Sequence, residues 1–182
     1  AGQYLISIAR IEPENSLLEL VEGFSTRRRG KKLAVLGNLF DDNSYHRELR
    51  NRASDEVVFP GAIYERNKVA ALRFHALAYL HGHRVGGTNP SLVEALGAGN
   101  PVLAHDNPFN RWVAGEGQFY FSDAASLDKA FEKILTDTRS VEEASRQARL
   151  RHEEEFTLDK IHNAYLDQLE RLTAEILHPV FA

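Results

Sequence analysis

The sequence predicts an α/β domain in which helices cover both faces of a doubly wound, mostly parallel β-sheet. Short apolar segments of strand length alternate along the chain with longer segments whose apolar residues recur every three or four positions. Turns rich in glycine and asparagine follow several of the strand segments. Because parallel strands are joined by helices, such a sheet is buried on both faces. We therefore expect a Rossmann-like layer structure, followed by C-terminal helices.

The composition is that of an ordinary globular domain. With 182 residues, of which 43% are hydrophobic and 26% charged, the chain is long enough to bury one core. Its apolar runs are far shorter than the ~20 residues of a membrane-spanning helix, so no transmembrane segment is predicted. The absence of cysteine excludes disulfides and thiolate metal sites and fits a reducing compartment. The chain contains no methionine and begins almost within its first strand, so we expect an N-terminal part of the protein to precede it.

The first part of the chain is expected to contain four strands and three helices. Ser16 and Glu19 have the spacing of a capping box, which predicts that the first helix begins at Ser16. Gly37 and Asn38 mark the end of the second strand, and Pro60 marks the end of the third. We expect strands at residues 4–9, 33–36, 57–59 and 76–80, and helices at about residues 16–24, 44–51 and 65–74.

The second part continues the alternation. Asn89 is a favourable N-cap and Pro90 fits the first helical position, so a helix should begin there. Ser140 and Glu143 again have the spacing of a capping box. A buried Trp112 is expected to anchor a loop after the fifth strand. The expected elements are strands at residues 102–104 and 119–121, and helices from residue 89, at about residues 126–135 and at residues 140–155.

The last helix has an apolar stripe that must be buried against another surface. Thr157 is its expected N-cap, and apolar residues recur after it at spacings of three and four. Two arrangements remain open, because the stripe could pack on its own domain or on a neighbouring one. We divide the chain into a Rossmann-like domain at residues 1–156 and a C-terminal helix at residues 157–182. The stripe consists of Leu158, Ile161, Tyr165, Leu169, Leu172 and Ile176.

Polar residues and glycines follow the strands at the expected carboxyl edge of the sheet, where open parallel sheets bind ligands. Arg10 follows the first strand, and its guanidinium could donate two N–H groups to one phosphate. The helix that begins at Asn89 should present several free backbone N–H groups beside the positive end of its dipole. The sequence therefore predicts a site for an anion such as phosphate.

The segment from His81 to Ala104 resembles a known family. The similarity lies in His81-Gly-His-Arg-Val-Gly-Gly-Thr-Asn-Pro-Ser-Leu-Val-Glu94, which is followed by a small-residue turn and a Pro-Val strand. Retaining GT-B glycosyltransferases of family 4 carry such a loop and helix, ending in a Glu-x7-Glu pair. Glu94 matches the second glutamate, and Gly86 stands in place of the first. The His-Gly-His variant resembles the rhamnosyltransferase subgroup of that family.

The resemblance assigns roles to individual residues. It implies that Arg10 holds the donor diphosphate together with a lysine, whose position is occupied here by Asn15. It implies that Glu94 accepts hydrogen bonds from the ribose hydroxyls and that the backbone N–H groups of residues 86–89 face phosphate and sugar. No certain catalytic residue is expected in this half of the enzyme. The complete predicted donor-binding set is Arg10, Asn15, Gly37, Ile63, His83, Gly86, Gly87, Thr88, Asn89 and Glu94.

The resemblance covers residues 4–135 and implies the C-terminal, nucleotide-sugar-binding half of a two-domain GT-B enzyme. The implied reaction moves a hexose, with rhamnose as the favoured sugar, from a nucleoside diphosphate to an acceptor glycan or lipid-linked sugar in polysaccharide biosynthesis. The class needs no divalent metal, and no cofactor besides the donor substrate is expected. The missing N-terminal Rossmann-like domain would supply most acceptor contacts, so this chain alone is expected to be inactive. The resemblance implies a cytoplasmic enzyme. If this enzyme binds the inner membrane, it would do so through the missing domain.

Three other functions remain open. A nucleotide-sugar epimerase of GT-B architecture would share the fold, although the glutamate motif and the Pro-Val turn argue against it. A dinucleotide-dependent oxidoreductase would need glycines directly after the first strand, and residues 9–14 contain none. A non-catalytic nucleotide-binding module would have the same fold, because a fold does not determine a function.

Three short motifs have more than one interpretation. His81 and His83 could bind a metal, contact the donor sugar or neighbouring loops, or be structural. Metal binding needs further ligands, and none lies nearby in sequence. The segment 41–43 resembles an acidic metal motif of another glycosyltransferase fold, but its place before a helix favours a turn and a cap. The basic segment 27–32 precedes a strand, opposite the expected site, in a chain of net charge −4. A solvated loop is therefore favoured over a nucleic-acid site.

Overall fold

The computed structural model describes residues 2–177 of the chain, with side chains described as far as residue 174. Six strands form one sheet in the order β3-β2-β1-β4-β5-β6, and all neighbouring pairs are parallel. The predicted fold class is therefore confirmed. The strand order reverses between β1 and β4, which is where open α/β sheets form their ligand crevice. The strands are β1 (Tyr4–Ile8), β2 (Lys32–Leu36), β3 (Val57–Val58), β4 (Ala78–His81), β5 (Val102–His105) and β6 (Phe119–Phe121).

Helices cover both faces of the sheet. One core, on the face that includes Leu5 and Leu80, contains Phe24 and Phe131, whose rings meet edge to face with centroids 5.4 Å apart. The other core contains Ile6, Tyr79 and residues from the later helices. The helices are α1 (Leu17–Ser25), α2 (Ser44–Arg52), α3 (Arg66–His75), α4 (Pro90–Gly97), α5 (Pro108–Ala114), α6 (Ala124–Thr136), α7 (Thr138–Glu155) and α8 (Leu158–Leu177).

The structure contains a helix, α5, where the sequence predicted a loop anchored by a buried Trp112. Asn107 caps α5 by accepting a hydrogen bond from the N–H of Asn110, and a proline occupies the first turn. Trp112 is 56% exposed and lies edge-on against Phe156 at a centroid distance of 5.7 Å. The prediction for this segment was wrong, although Asn107-Pro108 repeats the start signal recognised at Asn89.

The predicted capping box at the start of α1 is also wrong. A short 3-10 turn, Pro13–Asn15, leads into the helix and leaves Ser16 in the left-handed conformation with φ 46°. The Ser16 hydroxyl instead accepts a hydrogen bond from Arg84 Nε at 2.7 Å, and Glu19 forms an ion pair with the same guanidinium at 2.5 Å. Arg84, from the loop after β4, therefore ties that loop to α1.

The second predicted capping box fails for a different reason. Asp137 is the N-cap of α7, and its carboxylate accepts a hydrogen bond from the N–H of Ser140 at 3.0 Å. A carboxylate placed before the helix competes well for this N–H group. Glu143 is paired with Arg146 instead, at 2.5 Å.

The basic segment 27–32 is largely structural. Arg29 is 1% exposed in its side chain and pairs with Asp128 at 2.7 Å, while it also donates to the carbonyl oxygen of Gly23 at 2.8 Å. Arg27 pairs with Glu132 at 2.8 Å. The segment thus joins α1 to α6 at the amino edge of the sheet, which corrects the expectation of a solvated loop at Arg29.

The apolar stripe of α8 is exposed to solvent along the described part of the helix. Leu158 is 84% exposed, Tyr165 69% and Leu169 57%. The side chain of Ile176, also part of the predicted stripe, lies outside the described residues. Across residues 2–177, no helix combines the length and the apolar character that a membrane crossing requires.

Candidate functional site

The carboxyl edge of the sheet carries a cleft of about 520 Å³ near the ends of β1 and β2. Arg10, two residues beyond β1, lines this cleft with its side chain 79% exposed. Its ion-pair partner among the described residues is Glu14, at 3.4 Å. An exposed pair at this distance is weak, so the guanidinium is free to turn toward a ligand.

Asn15 lies beneath this cleft. The residue is 3% exposed, and its amide donates to the carbonyl oxygen of Arg10 at 2.8 Å. The side chain is therefore used to hold the backbone at Arg10, and it is closed off from the cleft. It does not replace the positive charge of the lysine that the resemblance would place there.

Two glycines allow the loops at this edge to approach each other closely. A Cβ on Gly37 would lie 2.5 Å from the carbonyl oxygen of Ala9, so no side chain fits between the ends of β1 and β2. A Cβ on Gly82 would overlap the carbonyl oxygen of Asn15. The loop after β4 consequently rests on the loop that carries Arg10. Sequence analysis did not single out Gly82, although its place between two histidines was visible.

The loop from Gly86 to Asn89 contains the free N–H groups of this region. Gly86 has φ +123°, and a Cβ on Gly86 or Gly87 would meet no atom within 4 Å. Across the described part of the chain, the backbone N–H groups of residues 86–89 donate no hydrogen bond. Residues 86–88 are exposed and Asn89 is partly buried, so a ligand can approach the backbone of this loop beside the start of α4.

The first turn of α4 itself offers fewer donors than the sequence predicted. Pro90 has no N–H group, and Asn89 accepts from the N–H of Ser91 through its side chain at 3.0 Å. The N–H groups of Leu92 and Val93 donate to the carbonyl oxygen of Asn89. The expectation of several free N–H groups in this turn is therefore corrected: α4 contributes its dipole, and the preceding loop contributes the donors.

A second cleft, of about 910 Å³, lies between α3 and α4 and is lined by Glu94, Tyr64 and Ile63. The Glu94 side chain is 60% exposed and pairs with Arg73 of α3 at 2.6 Å. Ile63 lines both clefts, so the two spaces adjoin each other at the loop after β3. Sequence analysis missed Arg73, since nothing in its local pattern points to Glu94.

His81 and His83 stack face to face, with ring centroids 4.2 Å apart and planes 7° apart. Burial lowers the pKa of His81 to about 3, with a further lowering by His83. Burial also lowers the pKa of His83. Both rings are consequently neutral near pH 7. The backbone carbonyl of His83 accepts hydrogen bonds from the amides of Asn107 and Asn110, each at 2.9 Å, which fixes this loop against α5.

The described residues hold no group of three or more histidine, cysteine, aspartate or glutamate side chains placed to bind a metal ion. Asn43 caps α2 by accepting from the N–H groups of Tyr45 and His46, and Asp41 pairs with Arg50. The segment 41–43 therefore forms a turn and a helix cap.

The sequence model of the family described as "Glycosyl transferases group 1" matches residues 2–151. No curated protein matches the sequence.

Several solved structures share the fold. HepE from Anabaena, in complex with UDP-glucose, superimposes with a TM-score of 0.81 over 93% of this chain and 49% of its own, at 16% identity. Sucrose-phosphate synthase from Thermosynechococcus elongatus gives a TM-score of 0.78 over 95% and 46%, at 18% identity. An α,α-trehalose-phosphate synthase (UDP-forming) from Burkholderia xenovorans gives 0.72 over 91% and 43%, at 16% identity. The chain thus spans less than half of each of these structures.

Proposed function

The chain belongs to the group 1 glycosyl transferases, and on this premise we propose that it is the donor-binding half of a GT-B enzyme. In this proposal the donor is a nucleoside diphosphate hexose. The observation that carries it is that Arg10 and Glu94 line two adjoining clefts, while the loop of residues 86–89 leads into α4, whose Ser91 hydroxyl lies 3.4 Å from the carbonyl oxygen of Ile8 at the end of β1. The solved relatives named in complex with UDP and UDP-glucose support a nucleotide sugar as the ligand.

The geometry suggests how the donor binds. The diphosphate lies between Arg10 and the loop of residues 86–89, where a cation, backbone N–H groups and the positive end of the α4 dipole meet. The ribose hydroxyls donate hydrogen bonds to the side-chain oxygens of Glu94, since a carboxylate can accept more than one hydrogen bond. The base occupies the adjoining cleft lined by Ile63 and Tyr64.

The chemical contribution of this half is electrostatic. Negative charge grows on the leaving diphosphate as the sugar departs, and donors fixed in place stabilise that charge without reorganising. His81 and His83, neutral because burial lowers their pKa values, add no positive charge to the site. We assign no general base to this chain.

The finer assignments rest on the sequence motif. Glu94, at the second position of the Glu-x7-Glu pair, supports family 4, and the variant His81-Gly-His83 supports a rhamnosyltransferase-like enzyme, whereas Gly86 departs from the family pattern and leaves the pair incomplete. The exposed stripe of α8 supports packing against the other half of the enzyme, which would also bind the acceptor glycan or lipid-linked sugar. A place in polysaccharide biosynthesis on the cytoplasmic face of the inner membrane follows from such an acceptor.

Calorimetry with four ligands tests the proposal. The chain, treated with EDTA, is expected to bind at least one of UDP, GDP and dTDP and to bind NAD more weakly, because the site has an anion-binding edge and no glycine-rich turn after β1. Restoring Mg²⁺ should leave the affinity unchanged. Tight binding of NAD alone would favour a dinucleotide enzyme, and binding that requires Mg²⁺ would contradict the metal-free site.

Glu94→Ala is expected to weaken binding of the preferred nucleoside diphosphate by ~1–3 kcal/mol, the range for hydrogen bonds lost to a charged group. Glu142→Ala, which removes an exposed glutamate from α7, is the matched control and should bind as the unmodified chain does. Isothermal calorimetry gives both values. An unchanged affinity in Glu94→Ala would remove Glu94 from the site.

A further inference from the structure

Arg73 is buried in a position where a positive charge is costly. Its side chain is 7% exposed, and its Nε has no hydrogen-bond partner among the described residues. A buried guanidinium persists only where partners compensate the loss of water. Here the partners are Glu94, with Nη2 2.6 Å from Oε2, and Ser91, whose hydroxyl oxygen is 2.9 Å from the same nitrogen.

Two hydroxyl groups, those of Ser91 and Tyr79, connect these contacts to the backbone at the end of β1. The Ser91 hydroxyl lies 2.7 Å from the Tyr79 hydroxyl, which donates to the carbonyl oxygen of Ile8 at 3.1 Å. Burial raises the pKa of Tyr79, so its hydroxyl keeps its proton. Arg73 donates to the Ser91 hydroxyl, the two hydroxyls share one hydrogen bond, and the Ser91 hydroxyl also lies 3.4 Å from the carbonyl oxygen of Ile8. The network therefore joins α3, α4 and β4 to the end of β1, two residues before Arg10.

This network restricts Glu94. The carboxylate is 60% exposed, and an exposed glutamate on a helix ordinarily samples several side-chain conformations. Arg73 holds Oε2, whereas Oε1 has no partner within residues 2–177. Arg73 and Glu94 both line the cleft of about 910 Å³, so the unpaired oxygen is available to a ligand there.

We propose that Arg73 is a positioning residue, which holds Glu94 in the orientation that accepts the ribose hydroxyls and so selects ligands that carry them. This proposal rests on the proposed function, because it concerns the same donor site. Arg73 acts through Glu94 and does not itself contact the ligand. Its removal should therefore reduce discrimination between ligands with and without sugar hydroxyls, in the same way as removal of Glu94.

The test compares UDP and GDP with their 2′,3′-dideoxy analogues, and dTDP, which carries only the 3′-hydroxyl, with its 3′-deoxy analogue. Calorimetry is used throughout, and the pair whose natural member binds most tightly is taken further. The unmodified chain should bind the deoxy analogue roughly tenfold more weakly, the size expected for lost hydrogen bonds to a charged group. In Arg73→Met and in Glu94→Gln, the ratio of the dissociation constants of the deoxy analogue and its natural ligand should fall to about twofold or less. The double variant should bind no more weakly than Glu94→Gln alone, because the two residues act as one unit.

Arg66→Met is the matched control. Arg66 is an exposed arginine of the same helix that lines the same cleft, and its loss removes the same charge. We expect it to keep the ratio of the unmodified chain. Thermal unfolding of every variant, followed by circular dichroism, identifies samples that are folded at the temperature of the titration.

If Arg73→Met does not fold, Arg73→Lys takes its place, since an ammonium keeps the buried charge without the planar fork. A ratio between those of the unmodified chain and Glu94→Gln supports the proposal, and an unchanged ratio overturns it. The positioning role of Arg73 is also overturned if Arg73→Met is folded and keeps the ratio of the unmodified chain while Glu94→Gln lowers it. The proposed function would then stand. If Glu94→Gln keeps the ratio too, the assignment of Glu94 to the ribose fails with it.

Discussion

Arg10→Ala is expected to weaken binding of the preferred nucleoside diphosphate by roughly tenfold to a hundredfold, while binding of the corresponding nucleoside barely changes. The Arg10 side chain is 79% exposed at the cleft, and the ion pair with Glu14 at 3.4 Å is too weak to withhold it from a diphosphate. Asn15 is occupied with the Arg10 carbonyl, so it cannot compensate for the lost charge. Calorimetry with UDP and uridine, or the equivalent pair for another base, measures the difference.

Two further variants separate the role of Arg10 in the site from a role in the loop. Arg10→Lys should recover only part of the affinity, because an ammonium keeps the charge but not the two parallel donors. Lys68→Ala should change little, since Lys68 lines neither cleft. Equal losses for diphosphate and nucleoside in Arg10→Ala would show that Arg10 is structural. The glycine loop would then hold the phosphates without it.

The sheet was predictable because its signals are local. Each strand is a short apolar run that ends in turn residues, and the start of α4 is encoded by the adjacent pair Asn89-Pro90, which the structure confirms. The same pair of residue types at Asn107-Pro108 begins α5, where the sequence was interpreted as a loop anchored by a buried Trp112. A short amphipathic helix can expose one face of a large aromatic residue, so a tryptophan alone does not indicate burial.

The caps show where local signals fail. The spacing of Ser16 and Glu19 fits a capping box, but both side chains bind Arg84, which lies far away in sequence. A side chain that binds a charged partner from a distant segment is no longer available to cap its own helix. Neither the left-handed conformation of Ser16 nor the approach of Arg84 can be derived from the residues around position 16.

The proposed donor site shows the same division between local and long-range signals. Its outline, from Arg10 to Glu94, came from residues at strand ends and from the motif after β4. The residues that hold this site in place make contacts between segments that are distant in sequence. Gly82 lies against the backbone of Asn15, and Arg73 pairs with Glu94. Such contacts require knowledge of which loops approach each other. The sequence shows that position 82 is a glycine, but it does not show that a Cβ there would overlap the carbonyl oxygen of Asn15.

In isolation, this 182-residue chain is expected to bind its donor and to show no detectable sugar transfer. It spans 43–49% of three solved relatives, and its cleft is open toward solvent, with Tyr64 81% exposed at the rim. Water that remains in an open site weakens the electrostatic stabilisation of the leaving diphosphate, and no group here is assigned to activate an acceptor.

The measurement pairs two assays on one sample. Calorimetry first establishes binding of a nucleoside diphosphate, and release of that nucleoside diphosphate from its sugar conjugate is then followed with and without acceptor sugars. Binding without acceptor-dependent release supports a half-site that needs a second domain, against which the exposed stripe of α8 is expected to pack. Sustained acceptor-dependent turnover by this chain would instead mean that its own residues complete the active site, and the proposed division of the enzyme into two halves would have to be abandoned.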